Sequence, residues 1–153
     1  MLDGIDLRIL NLLQSNGRIS NQDLAAQVGL SPSPCLRRVR HLEKSGVVEK
    51  FVALVNPTAV GRGLQAFVEV RLDRQTRASV DKFEAEILKH EEVLECYLMA
   101  GDSDYLLRVV VRDLEEFRDF HMNSLAKIPG VGNVKSHISM KQVKYSTALP
   151  LKD

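Results

Sequence analysis

Apolar side chains recur at helical spacing in three consecutive segments at the start of the chain. Residues three or four apart share one face of a helix, so this spacing is typical of amphipathic helices. The pattern therefore predicts three short helices that pack on one another. The apolar positions are Ile5, Ile9, Leu12 and Leu13 in the segment 3–17, then Leu24, Ala25 and Val28, then Cys35, Leu36, Val39 and Leu42.

Capping and turn residues delimit the second and third helices. Ser20 can cap the second helix, with Asp23 in the position that a capping box would use, and Gly29 can end it. Ser31 can cap the third helix, and Pro32 follows it at the first helical position, where proline is favoured. Gly46 can end that helix. Two helices joined by a tight turn are the outline of a helix-turn-helix.

Two short β-type runs follow Gly46 in the sequence VVEKFVALVNP. Such runs beside the helices can form a wing. We therefore predict a winged helix-turn-helix.

The second half of the chain changes to a strand pattern after the connector NPTAVGRGLQ. Alternation from Ala66 predicts a half-buried strand, and further strands are predicted at 93–100, 105–112 and 134–143. Helices are predicted at 77–90 and 113–127. The order βαββαβ favours an antiparallel sheet with both helices on one face.

The other face of that sheet is predicted to carry Phe67, Tyr97 and Met99. These side chains are too apolar for comfortable solvation, so we expect a second copy of the chain to cover them. The fold class is α+β. The predicted divisions are a winged helix-turn-helix domain at 1–50, a linker at 51–65, a βαββαβ domain at 66–145 and a tail at 146–153.

The polar face of the third helix is basic. Residues 1–64 carry eight Lys and Arg against five Asp and Glu, whereas the whole chain has a net charge of only +1. A basic helix in this position can enter the major groove of double-stranded DNA, and the alternative is a solvated surface helix. The candidate DNA-binding residues are Ser31, Ser33, Pro34, Arg37, Arg38, Arg40, His41 and Lys44.

Other classes of protein find little support. The sequence has no apolar stretch of membrane-spanning length, and we expect a cytoplasmic protein. Cys35 and Cys96, the two cysteines, form no pattern with metal-ligand spacing and are predicted to be buried thiols. No catalytic residues, metal or cofactor are predicted.

The loop Gly101-Asp102-Ser103-Asp104-Tyr105 carries two carboxylates. Asp102 and Asp104 can accept hydrogen bonds from an ammonium group, and exposed backbone N–H groups can hold a carboxylate. Together they suit the two ends of a free α-amino acid. The alternative is a tight turn in which Gly and Asp serve only local geometry.

Four motifs, in this order, resemble the leucine-responsive and asparagine regulator (Lrp/AsnC) family of transcription factors. They are DGIDLRILNLLQSNGRIS, VGLSPSPCLRRVRHLEKSGVV, GDSDYLLRV and IPGVGNVKS. The resemblance covers nearly all of the chain. It implies a winged helix-turn-helix, a hinge and a ferredoxin-like domain that regulates amino acid metabolism, with dimers assembling into tetramers or octamers.

The resemblance also implies an effector site at the loop, where dimers meet. Its candidate residues are Leu98, Met99, Gly101, Asp102, Asp104, Tyr105, Leu106, Leu114, His137 and Ile138. The apolar walls favour leucine or methionine as the effector, although an aspartate could also receive a lysine. A bound amino acid would change how dimers dock and so how the recognition helices space along DNA.

Three other hypotheses remain open. Some relatives with the same two-domain outline are sirohaem decarboxylases, which need basic or His side chains around a cavity, and only His137 of the four histidines lies on a predicted strand. The chain could also be an effector-independent regulator. An amino acid sensor that has lost DNA binding is disfavoured by the arginines at 37, 38 and 40.

Overall fold

Three helices form the first part of the computed structural model, which describes residues 2–152. They are α1 (Gly4–Ser15), α2 (Asn21–Val28) and α3 (Pro32–Lys44). The capping predictions are confirmed at α2, because the Ser20 hydroxyl accepts from the Asp23 N–H and Gly29 adopts φ 73°. The buried side chains of this unit are Ile9, Leu10, Leu24, Ala25, Val28, Cys35 and Leu42.

The two β-type runs after Gly46 form no strand among the described residues. Phe51, Val52 and Leu54 are 48%, 64% and 63% exposed, and no strand of the described residues pairs with this segment. The two runs therefore do not pair with each other, because VVEKFVALV contains no Gly, Asn or Asp to close a tight turn between them.

The segment from Val143 belongs to the same compact unit as the residues up to Leu54. The Gln14 amide pairs with the main chain of Leu149: its Nε2 donates to the carbonyl oxygen at 3.1 Å, and its Oε1 accepts from the N–H at 2.6 Å. Leu151 packs against the helical core. The sequence offered no sign of this attachment, because a side-chain amide that binds a distant backbone leaves no periodic pattern.

The second compact unit, residues 55–142, is built on a four-stranded antiparallel sheet in the order β2-β3-β1-β4. Its elements follow the predicted βαββαβ order. They are β1 (Leu64–Leu72), α4 (Arg77–Ile87), β2 (Val93–Leu98), β3 (Tyr105–Val111), α5 (Leu114–Asn123) and β4 (Val131–Ile138), with short 3-10 turns at Thr58–Val60 and Leu125–Lys127.

The final strand lies earlier than the predicted 134–143. Its length is set by β1, since the pairing runs from Leu72 opposite Val131 to Ala66 opposite Ile138. The Ser139 N–H still donates to the Gln65 carbonyl oxygen, and regular pairing ends there. Residues 140–142 take no regular structure.

One face of the sheet packs against both helices. Alternate residues of β1 and β3 are buried there together with Phe83 of α4 and Phe120 of α5. The opposite face, here called the open face, carries Phe67, Leu106 and Tyr97, and Tyr97 is 52% exposed. The two-faced arrangement predicted from the alternation is confirmed. None of the helices between residues 2 and 152 is long and apolar enough to cross a membrane.

Candidate functional site

The candidate DNA-binding side chains lie along one exposed face of α3. Cys35 and Leu42 are fully buried and Val39 is half-buried, which fixes the seam that packs against the other helices. Leu36, predicted to pack, is instead 36% exposed beside that seam. The side opposite the seam presents Ser33, Arg37, Arg40, His41 and Lys44 to solvent.

The N-terminus of α3 is open. Pro32 is confirmed at the first helical position, but the Ser31 hydroxyl makes no capping bond within the described part of the chain. The first turn contains no acidic residue. Since the backbone N–H groups at a helix start attract anions, this end is chemically suited to a phosphate, with Ser31, Ser33 and the half-buried Pro34 beside it.

Asn21, at the start of α2, is a residue that the sequence interpretation missed. Its Nδ2 donates to the Pro32 carbonyl oxygen at 2.8 Å, which ties the start of α2 to the start of α3. Its buried Oδ1 has no hydrogen-bond partner among residues 2–152. An asparagine immediately after a serine cap was the available signal, because Asn side chains commonly bond to nearby backbone.

Arg38, also in the predicted DNA-binding set, contacts α1 and does not share the exposed face with its neighbours. Its Nη1 lies 2.8 Å from Asp3 Oδ2 and 2.7 Å from Asp6 Oδ1, both at the start of α1. The carboxylates raise the pKa of Arg38, Asp6 more than Asp3. The Arg38 guanidinium is therefore already bound to two carboxylates of its own helical unit.

Asp104 is likewise engaged by its own chain, which corrects its predicted role as an acceptor for an ammonium group. Its Oδ2 accepts from the Leu72 N–H at 2.7 Å, and its Oδ1 accepts from Gln75 Nε2 at 2.7 Å. Its backbone N–H donates to the Val70 carbonyl oxygen. Asp104 thus anchors the loop to the end of β1.

Tyr105 is a core residue, contrary to the prediction that it contacts an effector. Its side chain is 1% exposed and its ring lies 4.5 Å from that of Phe83. Its hydroxyl donates to Glu84 Oε1 at 2.8 Å. Burial first, and then the hydrogen bond to Glu84, raises the pKa of Tyr105.

Asp102 remains exposed, and it lines a pocket of about 240 Å³ on the open face. Basic and acidic groups meet there, together with the Ser103 hydroxyl. Such a mixture can hold both ends of a zwitterion. Glu69 and Arg71 share the face of β1 that carries Phe67, and the strand alternation alone did not link them to the loop. The lining residues are Glu69, Arg71, Asp102, Ser103, Asn133 and Lys135.

The other predicted effector residues form two groups. Leu106 and His137 lie on the open face, where His137 Nε2 is 3.3 Å from Glu69 Oε1. Leu114 and Ile138 are 63% and 40% exposed and line a separate groove between α5 and β4. The structure therefore does not bring these two groups into one pocket of this unit.

The start of the loop is open as well. Met99 and Leu98 are 41% and 67% exposed at the end of the edge strand β2. The Met99 N–H donates to the Asp104 carbonyl oxygen at 2.8 Å. Gly101 adopts φ 150° with open space beside its Cα, a conformation that side chains disfavour.

The cysteines differ from each other. Cys35 is buried as predicted, and that burial raises its pKa. Cys96 is exposed on the edge strand β2, which corrects the prediction of a buried thiol. Partial desolvation of its sulfur, then the charge of Glu84, raises the pKa of Cys96 to about 11, so the thiol is protonated near neutral pH.

Comparison with known proteins adds two family matches that together span most of the chain. A winged helix-turn-helix DNA-binding profile matches residues 2–49. A profile described as the Lrp/AsnC ligand binding domain matches residues 65–149.

Named relatives match over nearly their whole length. The leucine-responsive regulatory protein of Salmonella typhimurium is 44% identical over 99% of this chain and 92% of its own. The leucine-responsive regulatory protein of Haemophilus influenzae is 45% identical over 99% of this chain and 91% of its own. Among solved structures, a transcriptional regulator from Neisseria meningitidis in complex with L-Met superposes with a TM-score of 0.94, at 41% identity over 98% of this chain and 97% of that one.

Proposed function

This chain belongs to the Lrp/AsnC family of DNA-binding transcriptional regulators, and we propose that it controls genes of amino acid metabolism in response to a free amino acid. The exposed face of α3 binds operator DNA. A neutral aliphatic amino acid, leucine or methionine, binds at the Gly101–Asp104 loop and changes how copies of the chain assemble.

The observation that carries the DNA-binding part is the separation of the two faces of α3. Arg37, Arg40 and Lys44 lie exposed, opposite the buried seam at Cys35 and Leu42. Arginine forks can bind guanine edges or phosphates, and Lys44 can neutralise a phosphate. The helix start at Ser31 and Ser33 suits a backbone phosphate.

The DNA-binding part is tested by salt-dependent titration of the full chain with a duplex that the wild-type protein selects from a randomised pool. If Arg37 or Arg40 binds a phosphate, its replacement by alanine lowers the slope of log K against log salt by about 0.9 per lost contact. If it reads a base, the selected duplex loses about 1–3 kcal/mol of discrimination and the slope is kept.

Arg74→Ala is the matched control, because Arg74 is an exposed arginine of the other compact unit. Arg74→Ala should leave both the salt slope and the discrimination between duplexes unchanged. If Arg37→Ala and Arg40→Ala also leave both unchanged, the exposed face of α3 does not bind the DNA.

The amino acid part rests on the pocket that Asp102 lines. Arg71 and Lys135 can hold a carboxylate, while Asp102 and Glu69 can receive an ammonium group. The exposed Met99 and the half-buried Leu106 offer apolar surface near the loop. A relative named leucine-responsive and a structural neighbour in complex with L-Met support leucine and methionine over charged side chains.

The regulatory step requires that the effector bind one assembly better than another. We propose that copies pair through the open face of the sheet and assemble further into tetramers or octamers. A coupling of about 1–3 kcal/mol between effector binding and assembly is enough to change occupancy of DNA severalfold. Several copies on one DNA would also offset the small net charge of the chain.

The amino acid part is tested by thermal-shift assays of the full chain against each of the twenty amino acids. A ligand at 100 times its Kd should stabilise the protein by about 2.7 kcal/mol. Asp102→Asn should abolish the shift, and Asp81→Asn, at an exposed aspartate of α4, should keep it. An identical shift in Asp102→Asn would place the effector elsewhere.

An effector-independent regulator is the second candidate function. It is favoured by the occupied carboxylate of Asp104 and the buried ring of Tyr105, which leave fewer groups for a ligand than the sequence suggested. If none of the twenty amino acids shifts the unfolding temperature, this function replaces the amino acid response. The sirohaem decarboxylase hypothesis has less support, because the relatives at 44–45% identity are named as regulatory proteins.

A further inference from the structure

Asp3, Asp6 and Arg38 form a closed network between α1 and α3. Asp3 Oδ1 accepts from the Asp6 N–H at 2.8 Å, and the Asp3 N–H donates to Asp6 Oδ2 at 3.2 Å. The remaining oxygens, Asp3 Oδ2 and Asp6 Oδ1, both accept from Arg38 Nη1. One oxygen of each carboxylate therefore accepts a hydrogen bond in the cap of α1, and the other accepts one from the guanidinium.

The network joins charges that would repel each other without the arginine. The capping box holds Asp3 and Asp6 side by side at the start of α1, and Asp6 is only 9% exposed. A buried carboxylate beside a second one needs a cation. Arg38 supplies that cation from a position more than thirty residues away in sequence.

The packing seam of α3 is narrow. Cys35, Val39 and Leu42 fall within about 60° of one another around the helix axis, at 100° per residue. This stripe is narrower than the one of about 100° or more that is typical of a surface helix, so it restrains rotation of α3 about its own axis less well. Arg38 lies about 40° beyond Leu42, the nearest edge of this stripe. Its bonds to α1 therefore add a point of attachment to the one that Asn21 makes at the start of α3.

We propose that Arg38 is a positioning residue for DNA recognition, which fixes the rotation of α3 and so aims Arg37, Arg40 and Lys44. This inference rests on the proposed DNA-binding face. A helix that can rotate still presents positive charge to phosphates, but its side chains no longer meet particular base edges. Loss of the network should therefore reduce sequence discrimination and spare non-specific binding.

The test uses Arg38→Gln in the full chain. Two probes are titrated: a duplex that the wild-type protein selects from a randomised pool, and a shuffled duplex of the same composition. Measurements are made well below the unfolding temperature of each variant, after circular dichroism shows native helix content. We expect Arg38→Gln to lower the ratio of the two affinities by tenfold or more, with the salt slope unchanged.

Two further variants separate positioning from stability. Arg38→Lys should keep the ratio within about threefold of wild type, because a single nitrogen makes both contacts and an ammonium group can replace it. Asp6→Asn removes the charge from the far end of the network, which lies off the DNA-binding face. Asp6→Asn should lower the affinity ratio as much as Arg38→Gln does. If Arg38→Gln does not fold, the affinity ratio of Asp6→Asn tests the inference in its place.

Two results would overturn the inference. A salt slope lowered by about 0.9 in Arg38→Gln would mean that Arg38 itself binds a phosphate. An unchanged affinity ratio in folded Arg38→Gln and Asp6→Asn would mean that the network only stabilises the unit. The proposed DNA-binding face fails separately, if Arg37→Gln changes neither the slope nor the ratio.

Discussion

Adjacent residues of like chemistry have unlike surroundings in this chain. Arg37 and Arg38 were equivalent as members of a basic run, yet Arg37 is exposed while Arg38 is bound to Asp3 and Asp6. Asp102 and Asp104 differ in the same way. Helical and strand spacing predicted which face a residue occupies, but a partner 29 to 35 residues away leaves no trace in local spacing.

The anchoring of the loop by Asp104 can be measured directly. Asp104→Asn keeps the size of the side chain but gives it one acceptor where two are needed, for the Leu72 N–H and Gln75 Nε2. We expect urea denaturation to show a loss of about 1–3 kcal/mol in the free energy of unfolding. Asp102→Asn, at the exposed aspartate of the same loop, should stay within about 0.5 kcal/mol of wild type.

We expect Asp3 to contribute to the loss of stability at low pH. Hydrogen bonding from the Asp6 N–H, and then from Arg38, lowers the pKa of Asp3 below its ordinary value of 3.8. A depressed pKa gives stability that is present above 3.8 and lost as the pH falls through the folded-state pKa. Asp3→Asn, which can still cap the helix, should show a shallower loss of stability below pH 3.8 in acid titrations followed by circular dichroism. Identical titration curves would contradict this account.

At the scale of elements, the turn between α2 and α3 depends on Gly29. It adopts φ 73°, where an added methyl group meets open space but the backbone is strained. Gly29→Ala should therefore cost about 1 kcal/mol of stability, seen as a lower midpoint of thermal unfolding. Gly63→Ala is the control, since Gly63 is not among the positive-φ residues and its added Cβ would make ordinary contacts with Thr58. Equal midpoints for the two variants would rule out backbone strain at Gly29.

The sequence predicted which segments form helices and strands. It did not predict where β4 ends or that the runs after Gly46 have no partner strand among the described residues. Ser20, Gly29 and Pro32 act locally, so the bounds of the helices they flank followed from local rules. The end of β4 depends on β1, because pairing stops at Ala66 opposite Ile138. The runs around Phe51 have strand propensity, but without a turn they gain no partner strand in this chain.

At the scale of the whole molecule, the open face of the sheet makes a prediction about self-association. Phe67 and Leu106 are half-buried and Tyr97 is 52% exposed on that face, which suits an interface between two copies. Tyr97→Arg would place a new cation on both sides of such an interface, beside the existing ion pair of Glu95 and Arg108. Leu88→Arg is the matched control, because Leu88 is 84% exposed at the end of α4, away from the open face.

Sedimentation velocity over a dilution series measures the result. Wild type and Leu88→Arg should sediment as the same assembly, whereas Tyr97→Arg should dissociate at a concentration at least tenfold higher, since like charges brought together at an interface are strongly unfavourable. Addition of the amino acid identified by thermal shift should then change the assembly of wild type and leave dissociated Tyr97→Arg unchanged. If Tyr97→Arg instead sediments as wild type does at every concentration, copies of this chain do not pair through the open face, and the effector would have to act through a different contact.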